Sequence, residues 1–214
     1  MRVVIFANGE LNYPQNAIDI ITPDDLLIAA DGGARHCLDL GVVPDFVVGD
    51  LDSLQPFEIK ALKKSGAEVV VYARKKNFTD LELAFSLAMD RGANEIIVLG
   101  GFGGRWDMTV SNLLLATGRK FSGVSIRLID GPQEATLIKD GEQRTFQGSR
   151  GDVLSLIPLG RDVTGVTLSG LEYALSDQTI KAGSTLGISN VLAEDKATVT
   201  IEKGVLLCII SHQK

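Results

Sequence analysis

Cysteine and histidine are scarce in this 214-residue chain, with two of each. Cys37 and Cys208 sit in separate apolar stretches without metal-ligand spacing. A disulfide framework is therefore not expected, and two buried thiols suit a reducing cytoplasm. His36, on an expected helix, and His212 have no sequence-visible nucleophile as partner, which argues against a hydrolase triad. Two nucleotide motifs are missing. No G-x-x-x-x-G-K-[ST] phosphate loop occurs, and G-x-G-x-x-G cannot be fitted to the glycine-rich stretch 100–104. Long apolar runs are missing too. Residues 205–210 are strand-length and cannot cross a bilayer. Residues 1–8 carry one basic residue and an apolar run too short for the core of a signal peptide, so neither a leader nor a membrane partner is expected. Basic charge is in deficit, with a net charge of -6 and a pI near 5.0. That balance disfavours nucleic acid as a partner.

What is present is an ordinary globular composition, 45% hydrophobic and 22% charged, enough to bury a real core. Up to about residue 131, short apolar runs alternate with helical patterns. Strands are expected at 3–7, 26–30, 46–48, 69–72, 96–99 and 126–129, and helices at 56–65, 80–91 and 106–120. Runs of this kind read as a mostly parallel sheet covered on both faces. Beyond residue 131 the helical period disappears. Strand-like runs follow at 134–138, 143–146, 153–157, 163–168, 196–201 and 205–210, with Asp140-Gly141 and Lys203-Gly204 as expected hairpin turns. The expected fold class is therefore α/β, with an α/β domain at 1–131 followed by an all-β sandwich domain at 132–214.

Ligands of open parallel sheets bind outside the carboxyl ends of the strands. Asp31, Asp50, Asp52 and the 100–104 loop all fall at such ends. Carboxylates gathered on one rim repel each other unless cations lie between them, and magnesium commonly bridges carboxylates to phosphates. Asp31-Gly32-Gly33 alone reads best as a turn. Gly49-Asp50-Leu51-Asp52-Ser53 is more pointed. In an extended conformation Asp50 and Asp52 face the same way, and Ser53 is placed to cap the next helix. Thr79-Asp80-Leu81-Glu82 fits a capping box, which is compatible with phosphate at a helix N-terminus. Lys75 and Lys76, just upstream, are either solvated or aimed at phosphate oxygens. Gly100-Gly101-Phe102-Gly103-Gly104-Arg105-Trp106-Asp107 follows a strand and opens a helix. Its backbone N–H groups can cradle phosphate, and Arg105 can pair with it bidentately.

Taken together, these segments resemble the thiamine pyrophosphokinase family. The resemblance runs through Ala30-Asp31-Gly32-Gly33-Ala34, Pro44-Asp45, Gly49-Asp50-Leu51-Asp52-Ser53, Thr79-Asp80-Leu81-Glu82 and Gly103-Gly104-Arg105-Trp106-Asp107. It continues through Gly170-Leu171-Glu172-Tyr173 and Gly187-Ile188-Ser189-Asn190. It implies transfer of the pyrophosphoryl group of ATP to the hydroxyl of thiamine, giving thiamine diphosphate and AMP. It also implies an α/β nucleotide domain, a β-sandwich and a homodimer with thiamine held between subunits. By the same resemblance Asp50, Asp52 and Asp80 ligate Mg2+, with Asp31 near or in the same shell. Gly32, Gly33, Ser53, Lys76 and Thr79 belong to the nucleotide side, and Gly103, Gly104 and Arg105 grip phosphates. Asp107 lies near the substrate, Tyr173 stacks on thiamine, and Ser189 and Asn190 help form its pocket. A cationic thiazolium suits an acidic rim and an aromatic face. One departure is Asn77, neutral where relatives often carry an acidic residue. Two other readings of the same residues stay open: a metal-dependent phosphohydrolase, because D-x-D pairs serve those too, and a non-catalytic nucleotide- or thiamine-binding module.

Overall fold

Val3-Val4-Ile5-Phe6 offers no polar alternation, so only a strand covered on both faces can bury it. It forms β1 (Arg2–Phe6), with Val3, Val4, Ile5 and Phe6 fully buried. The same logic produces β2 (Leu26–Ala30), β3 (Phe46–Gly49) and β5 (Glu95–Leu99), while β6 (Ser125–Asp130) alternates and buries Ile126 and Leu128. A further strand, β4 (Glu68–Val71), is half exposed because it lies at the sheet edge. These elements belong to the first of two compact units, Met1–Gly131 and Pro132–Lys214, in the computed structural model, which describes residues 1–213.

In the first unit all pairings are parallel, in the order β6-β5-β1-β2-β3-β4. The order reverses at β1, which has β2 on one side and β5 on the other. That makes the carboxyl end of β1 the switch point where such sheets open a crevice. Six helical segments connect the strands: α1 (Pro14–Ile20), α2 (Gly33–Leu40), α3 (Pro56–Ser65), α4 (Asp80–Asp90), α5 (Trp106–Leu115) and a 3-10 turn at Arg119–Phe121. Cys37 of α2, Leu62 of α3 and Ala17 of α1 join Val4, Phe6 and Ala29 in one core layer. On α4, Phe85 is fully buried and meets Phe121 edge to face at 5.1 Å. Burying each side chain of this size contributes about 1.5–3 kcal/mol.

The expected helix 106–120 ends early, at Leu115. The Thr117 hydroxyl donates to the Leu114 carbonyl at 2.7 Å, and Gly118 follows, so the backbone leaves the helix there. The N-cap of α3 is Gln55 rather than Ser53. Gln55 and Glu58 cap each other's backbone reciprocally, with the Gln55 N–H donating to Glu58 Oε2 at 2.6 Å.

The second unit holds two antiparallel sheets. One pairs β12 (Asn190–Val191), β9 (Val153–Pro158), β14 (Val205–Ser211) and β7 (Gln133–Lys139). The other pairs β11 (Gln178–Ile180), β10 (Val163–Ser169), β13 (Lys196–Thr200) and β8 (Gln143–Gln147). Alternating residues of both sheets, among them Ile138, Phe146, Leu154, Val166, Val199 and Leu206, share one core, which makes the unit a sandwich. The turns at Asp140-Gly141 and Lys203-Gly204 are not hairpins. β7 pairs with β14 and β8 with β13, so each turn carries the chain from one sheet to the other. The two turns fasten to each other. Gly204 N–H donates to Asp140 Oδ1 at 2.5 Å, and Gly141 N–H donates to the Glu202 carbonyl at 3.0 Å. No helix among the described residues is long and apolar enough to cross a membrane.

Candidate active site

The rim at the switch point is built from backbone packed on backbone. β2 ends at Ala30, and Asp31 just beyond it has a left-handed φ of 46° and donates its N–H to the Val48 carbonyl at 2.8 Å. Two glycines follow, and the second is required. A Cβ on Gly33 would stand 2.0 Å from the Phe6 carbonyl oxygen, and one on Gly32 would stand 2.2 Å from the Asn8 side chain. Only glycine lets α2 start this close to the end of β1.

Asp31, Asp50 and Asp52 converge, each offering a carboxylate oxygen within 4.8 Å of the others. They do so by a route that strand alternation does not describe. β3 stops at Gly49, and Leu51 takes a left-handed φ of 61° with its side chain buried. The buried Leu51 therefore anchors a tight bend with an acid on each side, and Asp52 N–H donates back to Asp50 Oδ1 at 3.3 Å. Asp80 opens α4 beside them, behind Thr79, whose hydroxyl accepts from Glu82 N–H at 3.2 Å and so caps the helix. The Glu82 carboxylate pairs instead with Lys120 at 2.5 Å.

Lys76 joins the acids, with Nζ 3.3 Å from Asp50 Oδ2 and 3.0 Å from Asp80 Oδ1. Burial pushes the Asp50 carboxyl up, but the Asp52 amide, Lys76 and Arg74 outweigh it and leave it below the ordinary range. For Asp80 burial wins. Lys76 pulls it down, but Asp31 and Asp50 add repulsion, and its carboxyl stays above the ordinary range. Asp31 Oδ1 is buried with no hydrogen-bond partner among the described residues, and buried Asp80 Oδ1 has the Lys76 ammonium 3.0 Å away as a neighbour of opposite charge. Leaving such oxygens unsatisfied is costly unless something binds them. Beside them Gly49 keeps a space open. A Cβ there would lie 3.0 Å from both Asp31 Cβ and Asp80 Oδ1. An all-oxygen donor set around such a space fits a hard divalent cation such as magnesium.

A cleft of about 460 Å³ continues from Asp31, Thr79 and Asp80 to Gly103, Gly104 and Arg105. Gly103 and Gly104 both have positive φ, which turns the loop toward α5. Arg105 lies on the surface and pairs with Asp107 at 2.6 Å. That pairing raises Arg105 and lowers Asp107. Ser53 sits on the α2 side of the acids, 3.4 Å from Asn8 Nδ2. Asn8, Glu10 and Asn112 are among the lining residues not singled out from the sequence. Glu10 Oε1 accepts from Gly104 N–H at 3.1 Å, and buried Asn112 donates to the Gly101 carbonyl at 2.8 Å. The signal for Asn8 was available. Asn8-Gly9 follows β1 just as Asp31-Gly32 follows β2.

In the second unit Tyr173 is 69% exposed. Its backbone is held both ways by the buried Asn190, whose Oδ1 accepts from Tyr173 N–H at 3.1 Å and whose Nδ2 donates to Tyr173 O at 2.8 Å. The Asn190 amide is thereby committed to presenting Tyr173. Ser189 has a left-handed φ of 57° and donates its N–H to Ser155 Oγ at 3.1 Å.

Known proteins carry the same combination. Residues 18–128 match the family model described as thiamin pyrophosphokinase, catalytic domain, and residues 138–206 match thiamin pyrophosphokinase, vitamin B1 binding domain. Thiamine pyrophosphokinase of Bacillus subtilis is 32% identical over 207 residues, covering 97% of each chain. A crystal structure of the enzyme from Bacillus subtilis superposes with a TM-score of 0.89 at 30% identity, covering 100% of both chains. That of thiamin pyrophosphokinase from Geobacillus thermodenitrificans gives 0.86 at 27% identity, covering 100% of this chain and 99% of that one. Both halves of the chain and their order agree, and the chain belongs to the thiamine pyrophosphokinase family.

Proposed function

We propose that this enzyme transfers the pyrophosphoryl group of ATP to the hydroxyl of thiamine, releasing AMP and thiamine diphosphate. The observation that carries the site assignment is the buried, unpartnered oxygen of Asp31 in a cluster with Asp50 and Asp52. Asp31, Asp50, Asp52 and Asp80 are the residues that would hold magnesium. When bound, the ion offsets polyphosphate charge and fixes its geometry. Lys76 adds a cation beside the acids, and Arg105 adds one at the glycine loop, once a phosphate draws it away from Asp107. Gly103 and Gly104 let the polyphosphate approach the backbone. The thiamine hydroxyl attacks the β-phosphorus in line, and a carboxylate of the cluster takes its proton. Tyr173, presented by Asn190, offers an aromatic face to the thiazolium, with Ser189 beside it.

The enzyme is also proposed to act as a homodimer in a reducing cytoplasm. Its free cysteines support the second point. Both are buried, and burial pushes the Cys37 thiol up to about 12 and raises Cys208 as well, so neither is a ready thiolate. Sedimentation at micromolar concentration tests the dimer. For the reaction, ATP, magnesium and thiamine are mixed and AMP and thiamine diphosphate are measured. Phosphate release without thiamine would instead favour a phosphohydrolase, and ATP binding with no turnover a binding module.

A further inference from the structure

His36 has no place in the chemistry above, yet it is tied to the switch point. Its Nε2 lies 2.9 Å from the Gly9 carbonyl oxygen. A carbonyl only accepts, so Nε2 carries the proton and donates. His36 stands one turn into α2, whose start is fixed against β1 at Gly33. It therefore reaches across from a rigid helix to a segment that has left its strand.

What Gly9 and Glu10 do next gives that contact its consequence. Gly9 N–H donates to the Gly100 carbonyl at 2.8 Å, and Glu10 N–H donates to the Phe102 carbonyl at 2.7 Å. Glu10 Oε1 accepts from Gly104 N–H. Gly9 and Glu10 thus hold the glycine loop at three points, and His36 holds Gly9 from the other side. The packing leaves no slack. A Cβ on Gly9 would lie 2.3 Å from Phe102 O, and one on Gly103 would lie 2.7 Å from the Glu10 side chain. Gly100 lies beside the imidazole, where an added Cβ would make ordinary contact with Nε2 at 3.4 Å but would stand 2.7 Å from the Ala7 carbonyl oxygen.

We propose that His36 is a positioning residue for the pyrophosphoryl transfer: through Gly9 and Glu10 it sets the backbone of the 100–104 loop at the spacing an ATP phosphate needs. The proposal rests on the functional reading above. Positioning of this kind acts on nucleotide binding and leaves the thiamine side untouched.

The test compares His36→Gln with His36→Asn in the full-length enzyme. A glutamine amide can take the place of Nε2, whereas an asparagine amide takes the place of Nδ1 and loses the bond. Steady-state kinetics should show His36→Asn raising KM for ATP about 3–10-fold, the size of one lost hydrogen bond. KM for thiamine should not change, and His36→Gln should recover most of the loss. Amide hydrogen exchange at Gly9, Glu10 and Gly104 should quicken in His36→Asn alone. Equal behaviour of the two variants, or a KM for thiamine rising with that for ATP, overturns the proposal. If the wild-type enzyme forms no AMP from ATP and thiamine, the functional reading fails by itself. The exchange rates and the Kd for ATP still decide then whether His36 sets the loop.

Discussion

Asp152, at the entry to β9, accepts a hydrogen bond from His212 Nδ1 at 2.7 Å and so ties the segment after β14 to the neighbouring strand. Ser149 N–H and Gln213 N–H donate to the same carboxylate at 2.9 and 2.8 Å. Burial pushes Asp152 up, but these partners outweigh it and hold the carboxyl below its ordinary range. A carboxyl lowered in the folded state stabilises above its unfolded pKa and ceases to do so as pH falls through the folded one. Stability of the sandwich should therefore drop on acidification below about pH 4. Asp152→Ala removes the acceptor at all pH values. It should cost about 2–3 kcal/mol in urea unfolding and flatten that acid limb. His212→Ala leaves both backbone donors in place and should cost under about 1 kcal/mol.

Asp80 works in the opposite sense. Its folded-state carboxyl lies above the ordinary range, chiefly through burial. By linkage it costs stability as pH rises from the ordinary carboxylate range through the raised value, and above that the cost persists. Asp80→Asn should therefore unfold at a higher temperature than wild type at neutral pH without magnesium. A rise of about 2–4 °C corresponds to 1 kcal/mol in a chain of this size. AMP formation should be lost in the same variant. Near-normal activity would remove Asp80 from the metal assignment.

Gly49→Ala tests the space between Asp31 and Asp80. The new methyl would arrive 3.0 Å from each, on a residue whose φ is 147°. Backbone strain alone costs roughly 1–3 kcal/mol. Magnesium affinity, read by calorimetry, should fall about tenfold or more, the equivalent of 1.4 kcal/mol. Unchanged affinity would place the cation elsewhere.

Arg105→Lys keeps the charge and removes the planar fork. If the guanidinium grips a phosphate bidentately, KM for ATP should rise about tenfold while KM for thiamine holds. A variant indistinguishable from wild type would leave Arg105 as no more than the surface partner of Asp107.

The α/β class and the strands that carry the rim were legible because fully buried parallel strands read as unbroken apolar runs, and Val3-Val4-Ile5-Phe6 has no other solution. Helix stops at glycine were legible too, as at Gly66 after α3, which takes the left-handed conformation. What escaped the sequence depended on partners distant in the chain. Asp140-Gly141 has hairpin composition, yet composition does not say that its flanking strands pair in different sheets. Strand alternation brought Asp50 and Asp52 together on paper. In the molecule they meet because Leu51 is buried and bends the chain. Glu10 and Asn112 were invisible because nothing local marks a glutamate that will meet an amide 94 residues away. The short β11 and β12 lack the length to register as a pattern.

Gly9 and Gly33 interlock with the backbone of Phe102 and Phe6 at distances that admit no side chain. That corner of the enzyme is consequently closed to gradual variation. A changed nucleotide preference cannot be reached by exchanging these residues one at a time, since each exchange breaks the corner before it alters a contact. Adaptation, natural or engineered, has room where side chains stand clear of other backbone. Arg74, Arg105 and Tyr173 have that freedom, and libraries aimed at new substrates belong there.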